Sequence, residues 1–69
     1  MKLSARNVLK GKILEVRKGA TTANVRIGIA GGAVVTASIT NEAVEDLRLT
    51  NGDDVYAVIK ASNVIVARD

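Results

Sequence analysis

The chain has 69 residues, 48% of them apolar and only Tyr56 aromatic, with ten Lys/Arg against seven Asp/Glu for a net charge of +3, and no Cys, His or Pro. The lack of Cys and His excludes disulfides, the usual zinc sites and triad or thiolate catalysis, and no apolar run approaches the roughly 20 residues of a membrane helix. What remains is one small domain over residues 1–69, with a Val/Ile/Leu/Ala core so small that a partner subunit is expected to support it.

The modest basic balance suits small anions or nucleic acid as well as an ordinary solvated surface. No apolar run follows Lys2, so no signal peptide is read, and a soluble, cytoplasmic protein is the expectation.

In chain order, Ser4-Ala5-Arg6-Asn7 puts a hydroxyl, a guanidinium and a carboxamide within four residues, all of them hydrogen-bond donors. A first strand is predicted from about Val8 to Lys18. Leu9, Gly11 and Ile13 share one face by period two, then Leu14 and Val16 continue on the other. Such a phase change beside a glycine predicts a bulge or strong bend. Lys18-Gly19-Ala20-Thr21-Thr22 reads as a turn. From Asn24 to Ile29 the alternation is clean, with Val25, Ile27 and Ile29 inward. Ala30-Gly31-Gly32 closes a hairpin into a third strand, Ala33 to Ile39, with Val35, Ala37 and Ile39 on one face.

Thr40 or Asn41 caps a short helix running to about Leu47, with Glu42 in its first turn and Val44 and Leu47 on one face. Asn51-Gly52 is a turn signal. A fourth strand is predicted over Asp54–Lys60 and a fifth over Val64–Arg68. Five short strands with one short helix between strands 3 and 4 describe an all-β OB-fold, a five-stranded Greek-key barrel. In the last two strands both faces are apolar, so Val58 and Ile65 point away from a barrel interior. A neighbouring subunit is the simplest cover; scattered surface aliphatics are the plainer alternative.

Four stretches stand together in this order: Ser4-Ala5-Arg6-Asn7 followed by Leu9-x-Gly11, Ile29-Ala30-Gly31-Gly32, Ser38-Ile39-Thr40, and Val58-Ile59-Lys60-Ala61-Ser62. The set resembles the Mop family of small molybdate- and tungstate-binding proteins, the molbindins, over nearly the whole chain. The resemblance implies an OB-fold and binding of molybdate or tungstate as cargo. It further implies homohexamers built as trimers of dimers, with oxyanions held between subunits, and a role in intracellular storage or homeostasis. Carried over residue by residue, the oxyanion-binding positions are Ser4, Ala5, Arg6, Asn7, Thr40, Lys60, Ala61 and Ser62. Ala43 stands where some relatives have a serine, which leaves only backbone to serve there. The turn Arg17-Lys18-Gly19 is a candidate contributor to sites near a threefold axis.

The residues themselves suit such a ligand. Molybdate is fully deprotonated near neutral pH and offers only acceptors, so its site needs only donors. Ser4, Arg6, Thr40, Lys60 and Ser62 supply hydroxyls and cations, and the amides of Ala5, Ala61 and the start of the helix after Thr40 add backbone donors. Each residue also has a plainer reading: Thr40 as a helix cap, Lys60 as an edge-strand charge, Ser4 and Arg6 as a strand start.

Two other function classes compete. An enzyme would have to use Glu42, Glu45, Asp46, Asp53 or Asp54, but the first three have helix-surface spacing and the last two follow a turn, with no calcium-loop spacing. No enzymatic activity is expected. A small OB-fold nucleic-acid-binding module is the alternative reading. It would grip phosphates by charge alone, because only Tyr56 can stack on a base.

Overall fold

Period-two burial makes Thr22–Ile29 the centre of the sheet. In the computed structural model, which describes residues 1–69, Ala23, Val25 and Ile27 of this strand are buried while Thr22, Asn24 and Arg26 are exposed. The elements in chain order are β1 (Asn7–Lys18), β2 (Thr22–Ile29), β3 (Val34–Thr40), the helix α1 (Asn41–Asp46), β4 (Asp54–Ile59) and a 3-10 turn, Ala61–Asn63. All pairings are antiparallel and the sheet order is β3-β2-β1-β4.

β1 is long because it serves two partners. Residues Gly11–Lys18 pair with β2 and residues Asn7–Lys12 with β4. The register shifts between Ile13 and Glu15, at the predicted phase change. Leu14 is the unpaired extra residue and packs on the outer face, where a Cβ added to Gly28 would meet Leu14 Cδ2 at 3.1 Å. The bulge turns Val16 back toward the core, opposite Val25. Gly11 lies at the closest approach of this bend, since a Cβ there would stand 2.5 Å from the Gly28 carbonyl oxygen.

Only six residues are fully buried: Ile13, Ala23, Val25, Ile27, Val44 and Ala57. Val35, Ala37 and Ile39 pack against them from β3, as the alternation predicts. α1 contributes Val44 alone. Leu47, predicted to share its face, is the C-cap and is 67% exposed. The chain leaves the helix through Arg48 at φ 53, the left-handed conformation that ends helices. After Asn51-Gly52, the amide of Gly52 donates to the Ile13 carbonyl and the amide of Ile13 to the Asp53 carbonyl. These two bonds dock the turn before β4 onto the bulge.

The fold is the expected all-β OB arrangement with its helix after β3, corrected in one respect. The predicted fifth strand, Val64–Arg68, forms no ladder. Val64 has extended backbone (φ −87, ψ 126), but Ile65 and Val66 are 92% and 90% exposed. A strand needs a hydrogen-bonded neighbour, and this segment has none in its own chain. The sheet is accordingly a half-barrel. Between β3 and β4 lies an apolar groove of about 350 Å³, lined by Ile27, Val35, Ala37, Ile39, Ala57 and Ile59 among others. No helix is long and apolar enough to cross a membrane.

Candidate functional site

The last register pair of the β1–β4 ladder is Asn7 with Ile59. Ser4-Ala5-Arg6 and Lys60-Ala61-Ser62 therefore leave the same end of the sheet from adjacent strands, 52 residues apart in sequence at the pair that joins them. Asn7 Nδ2 donates to the Ile59 carbonyl at 3.1 Å in a partly buried position. The chain then folds into the 3-10 turn, in which Asn63 N donates to the Lys60 carbonyl at 2.9 Å and Val64 N to the Ala61 carbonyl at 3.2 Å. The N–H groups of Ala61 and Ser62 precede the turn's own bonds, as at any helix start. Ser4, Arg6, Lys60, Ala61 and Ser62 are exposed, Ala5 and Asn7 half-buried. Arg6 and Lys60 make no ion pair. This end of the sheet thus presents two uncompensated cations, two hydroxyls and backbone amides, with no carboxylate paired to them.

Thr40 is elsewhere. It pairs with Thr22 at the far end of β2, the end where Lys18 pairs with Ala23. Lys18 and Asn7 are the opposite ends of the 12-residue β1. One chain does not bring Thr40 to the Arg6/Lys60 end. Thr40 is the N-cap of α1, and its Oγ1 accepts from Ala43 N at 3.0 Å. That bond occupies the oxygen as acceptor and leaves the hydroxyl proton free to donate.

The backbone donors expected at the helix start are mostly spent. Ala43 N is held by Thr40 Oγ1 and Asn41 N donates to the Thr21 carbonyl at 2.9 Å. Ala43, where only backbone is expected to serve, has its amide engaged by Thr40 Oγ1 within the chain. Asn41 is the first helical residue, not the cap, and its Nδ2 donates to the Gly19 carbonyl at 3.0 Å.

The turn Arg17-Lys18-Gly19 is engaged as well. Arg17 approaches Glu15 and Lys18 approaches Glu45, each at 3.5 Å. Lys18, Glu45, Arg48 and Thr50 border an open cleft of about 550 Å³ beside α1. Sequence reasoning missed Arg48 here, because its place follows from a backbone φ that no local residue pattern signals. On the outer face, Lys12 Nζ donates to Asp54 Oδ1 at 2.8 Å. That hydrogen bond, with the Lys12 charge behind it, lowers the Asp54 carboxyl below its ordinary value. Tyr56, the one residue able to stack on a base, stands across from Lys10 and is 54% exposed. No cluster of three or more His, Cys, Asp or Glu exists that could hold a metal ion.

Residues 3–66 match the TOBE domain family. Molybdenum-pterin-binding protein 3 of Clostridium pasteurianum is 47% identical over 66 residues, covering 96% of this chain and 97% of that protein. A molybdate-binding protein from Sporomusa ovata superposes with a TM-score of 0.92 at 37% identity, over 99% of this chain and 100% of that one. The cytoplasmic molybdate-binding protein ModG, with molybdate bound, gives a TM-score of 0.91 at 46% identity, over 94% of this chain and 46% of its own. The half-barrel with its single helix, matched over its full length by such relatives, belongs to the TOBE domain family and within it to the small molybdenum-pterin-binding, or Mop, proteins.

Proposed function

We propose that this chain binds molybdate or tungstate between the subunits of a homo-oligomer, in the cytoplasm, as a storage or homeostasis protein and not as an enzyme. The observation that carries the reading is the division of the donor set. Ser4, Ala5, Arg6, Asn7, Lys60, Ala61 and Ser62 gather at one end of β1, and Thr40 stands at the other. A site that uses both needs two copies of the chain. Its donors suit a dianion that can only accept hydrogen bonds. Charge-assisted bonds are worth roughly 1.5–3 kcal/mol each, so four or five reach the ~8 kcal/mol of micromolar affinity after ordering costs.

Two further features support an oligomer. The six-residue core is small even for this length. The apolar groove between β3 and β4 and the uncovered segment Val64-Ile65-Val66 are complementary in character, so a second copy supplies a natural cover for both. The assembly that the resemblance implies is a hexamer, a trimer of dimers. The relatives carry molybdate or molybdenum-pterin binding in their names, which fits the donor chemistry.

Native mass spectrometry with molybdate, tungstate, sulfate and a short single-stranded oligonucleotide tests the reading in one series. The expected result is a single oligomer that retains molybdate and tungstate in whole-number stoichiometry. Sulfate has the same shape and charge but shorter bonds, leaves donors poorly paired, and should be retained at least about a hundredfold less well. A monomer that retains only the oligonucleotide would replace this reading with the nucleic-acid one.

A further inference from the structure

We infer that Asn7 is a positioning residue and not an oxyanion ligand: its carboxamide, held on the Ile59 carbonyl, sets the spacing between Ser4–Arg6 and Lys60–Ser62. The inference rests on the oxyanion reading above and assigns one member of its donor set a different task.

The bond itself is specific. Asn7 Nδ2 lies 3.1 Å from the Ile59 carbonyl oxygen and is partly buried. A carbonyl only accepts, so the nitrogen of the carboxamide, and not its oxygen, must face it. One amide hydrogen is thus committed within the chain. The group also carries an acceptor oxygen, which a dianion would repel, so it is a poorer ligand than a hydroxyl or a cation.

The place of the bond explains its use. Asn7 with Ile59 is the last pair of the β1–β4 ladder. Arg6 and Lys60 are the next residues, one beyond each strand, and neither has an ion-pair partner. Like charges flanking the end of an antiparallel pair push it apart, and ladder ends open more readily than their middles. A side-chain bond at that pair resists the splaying while the site is empty. Two cations held side by side in advance are what a dianion needs, because the ordering cost is met before it arrives. The tether also fixes the carbonyl from which the Lys60–Ser62 turn departs, and so the direction of the Ala61 and Ser62 amides.

Two measurements on the assembled protein test this. In isotope-labelled wild-type protein, a scalar coupling across the hydrogen bond between Asn7 Nδ2 and the Ile59 carbonyl carbon should be present without molybdate. It should persist at saturation while the Lys60, Ala61 and Ser62 amides shift. A coupling that vanishes on loading, with the Asn7 side-chain amide shifting most, would make Asn7 a ligand and overturn the inference. If molybdate moves no resonance, the oxyanion reading itself falls, and that outcome is distinct because the coupling is read without ligand. The second measurement is a double-mutant cycle by calorimetry on variants checked for assembly by sedimentation. Asn7→Ala should weaken molybdate about tenfold in the parent but less than about twofold once Lys60 is also alanine, since a positioning residue acts through what it positions. Equal losses in both backgrounds would mean that Asn7 acts independently of the turn, and the positioning role would be wrong.

Discussion

The Thr40 hydroxyl oxygen accepts the backbone N–H of Ala43 at 3.0 Å, so one side chain both caps α1 and retains a proton to donate. The two tasks are separable. Thr40→Val removes both, and should cost about 1 kcal/mol of stability together with oxyanion affinity. Thr40→Asp keeps a strong cap acceptor but presents a negative charge to the ligand. Thermal unfolding should place Thr40→Asp near the parent, while calorimetry finds its molybdate binding reduced at least about tenfold. Parent-like binding by Thr40→Asp would leave Thr40 as a cap only.

Arg6 and Lys60 flank one strand pair without ion-pair partners. Arg6→Ala and Lys60→Ala are each expected to weaken molybdate by about tenfold or more, the loss of one charge-assisted hydrogen bond. Arg68, exposed near the chain end, is the control, and its removal should change affinity less than about twofold. The chain has no His, so affinity should also be flat between about pH 6 and pH 8. Equal losses at all three cations would point to diffuse attraction.

Ile65 is 92% exposed, and the apolar groove between β3 and β4 is open in the single chain. Placing a charge at Ile65 should disrupt any interface that covers it. Sedimentation velocity at micromolar concentration is expected to find the parent as one species well above monomer mass. Ile65→Asp should sediment as a smaller species and lose oxyanion binding in parallel, because the proposed site draws its donors from two copies. A monomeric parent would end both expectations.

Asp54 and Lys12 pair across β1 and β4 with both side chains well exposed. The bond from Lys12 lowers the Asp54 carboxyl below its ordinary 3.8. A depressed folded-state value stabilises the fold above the unfolded value, and that stabilisation is lost as pH falls through the folded one. Asp54→Asn should therefore be less stable than the parent near neutral pH, and the gap should close as pH drops below about 4. High salt should narrow the gap at neutral pH, as for any exposed pair. Urea unfolding across that range measures both effects. A gap that widens in acid would mean that the pair has the opposite sign.

Much of this protein is local and therefore legible in the chain. The alternation of Val25 and Ile27 marks β2, and Gly31 and Gly32, both at positive φ, mark its hairpin. The phase change after Ile13 marks the bulge, and Thr40 followed by Glu42 marks the helix start. Each rests on side-chain period or backbone sterics within a few residues. The candidate donors in Ser4–Arg6 and Lys60–Ser62 can also be named from the chain, because each group is a contiguous run. Their relation to one another cannot. The order β3-β2-β1-β4 joins Asn7 to Ile59 across 52 residues and carries Thr40 to the opposite end. The use of the Ala43 amide, the left-handed Arg48 and the unpaired Val64–Val66 were decided at the same level. Apolar alternation says that a segment can be a strand. Which edge it joins depends on hydrogen bonds to a second segment, and only the folded arrangement brings that partner within reach.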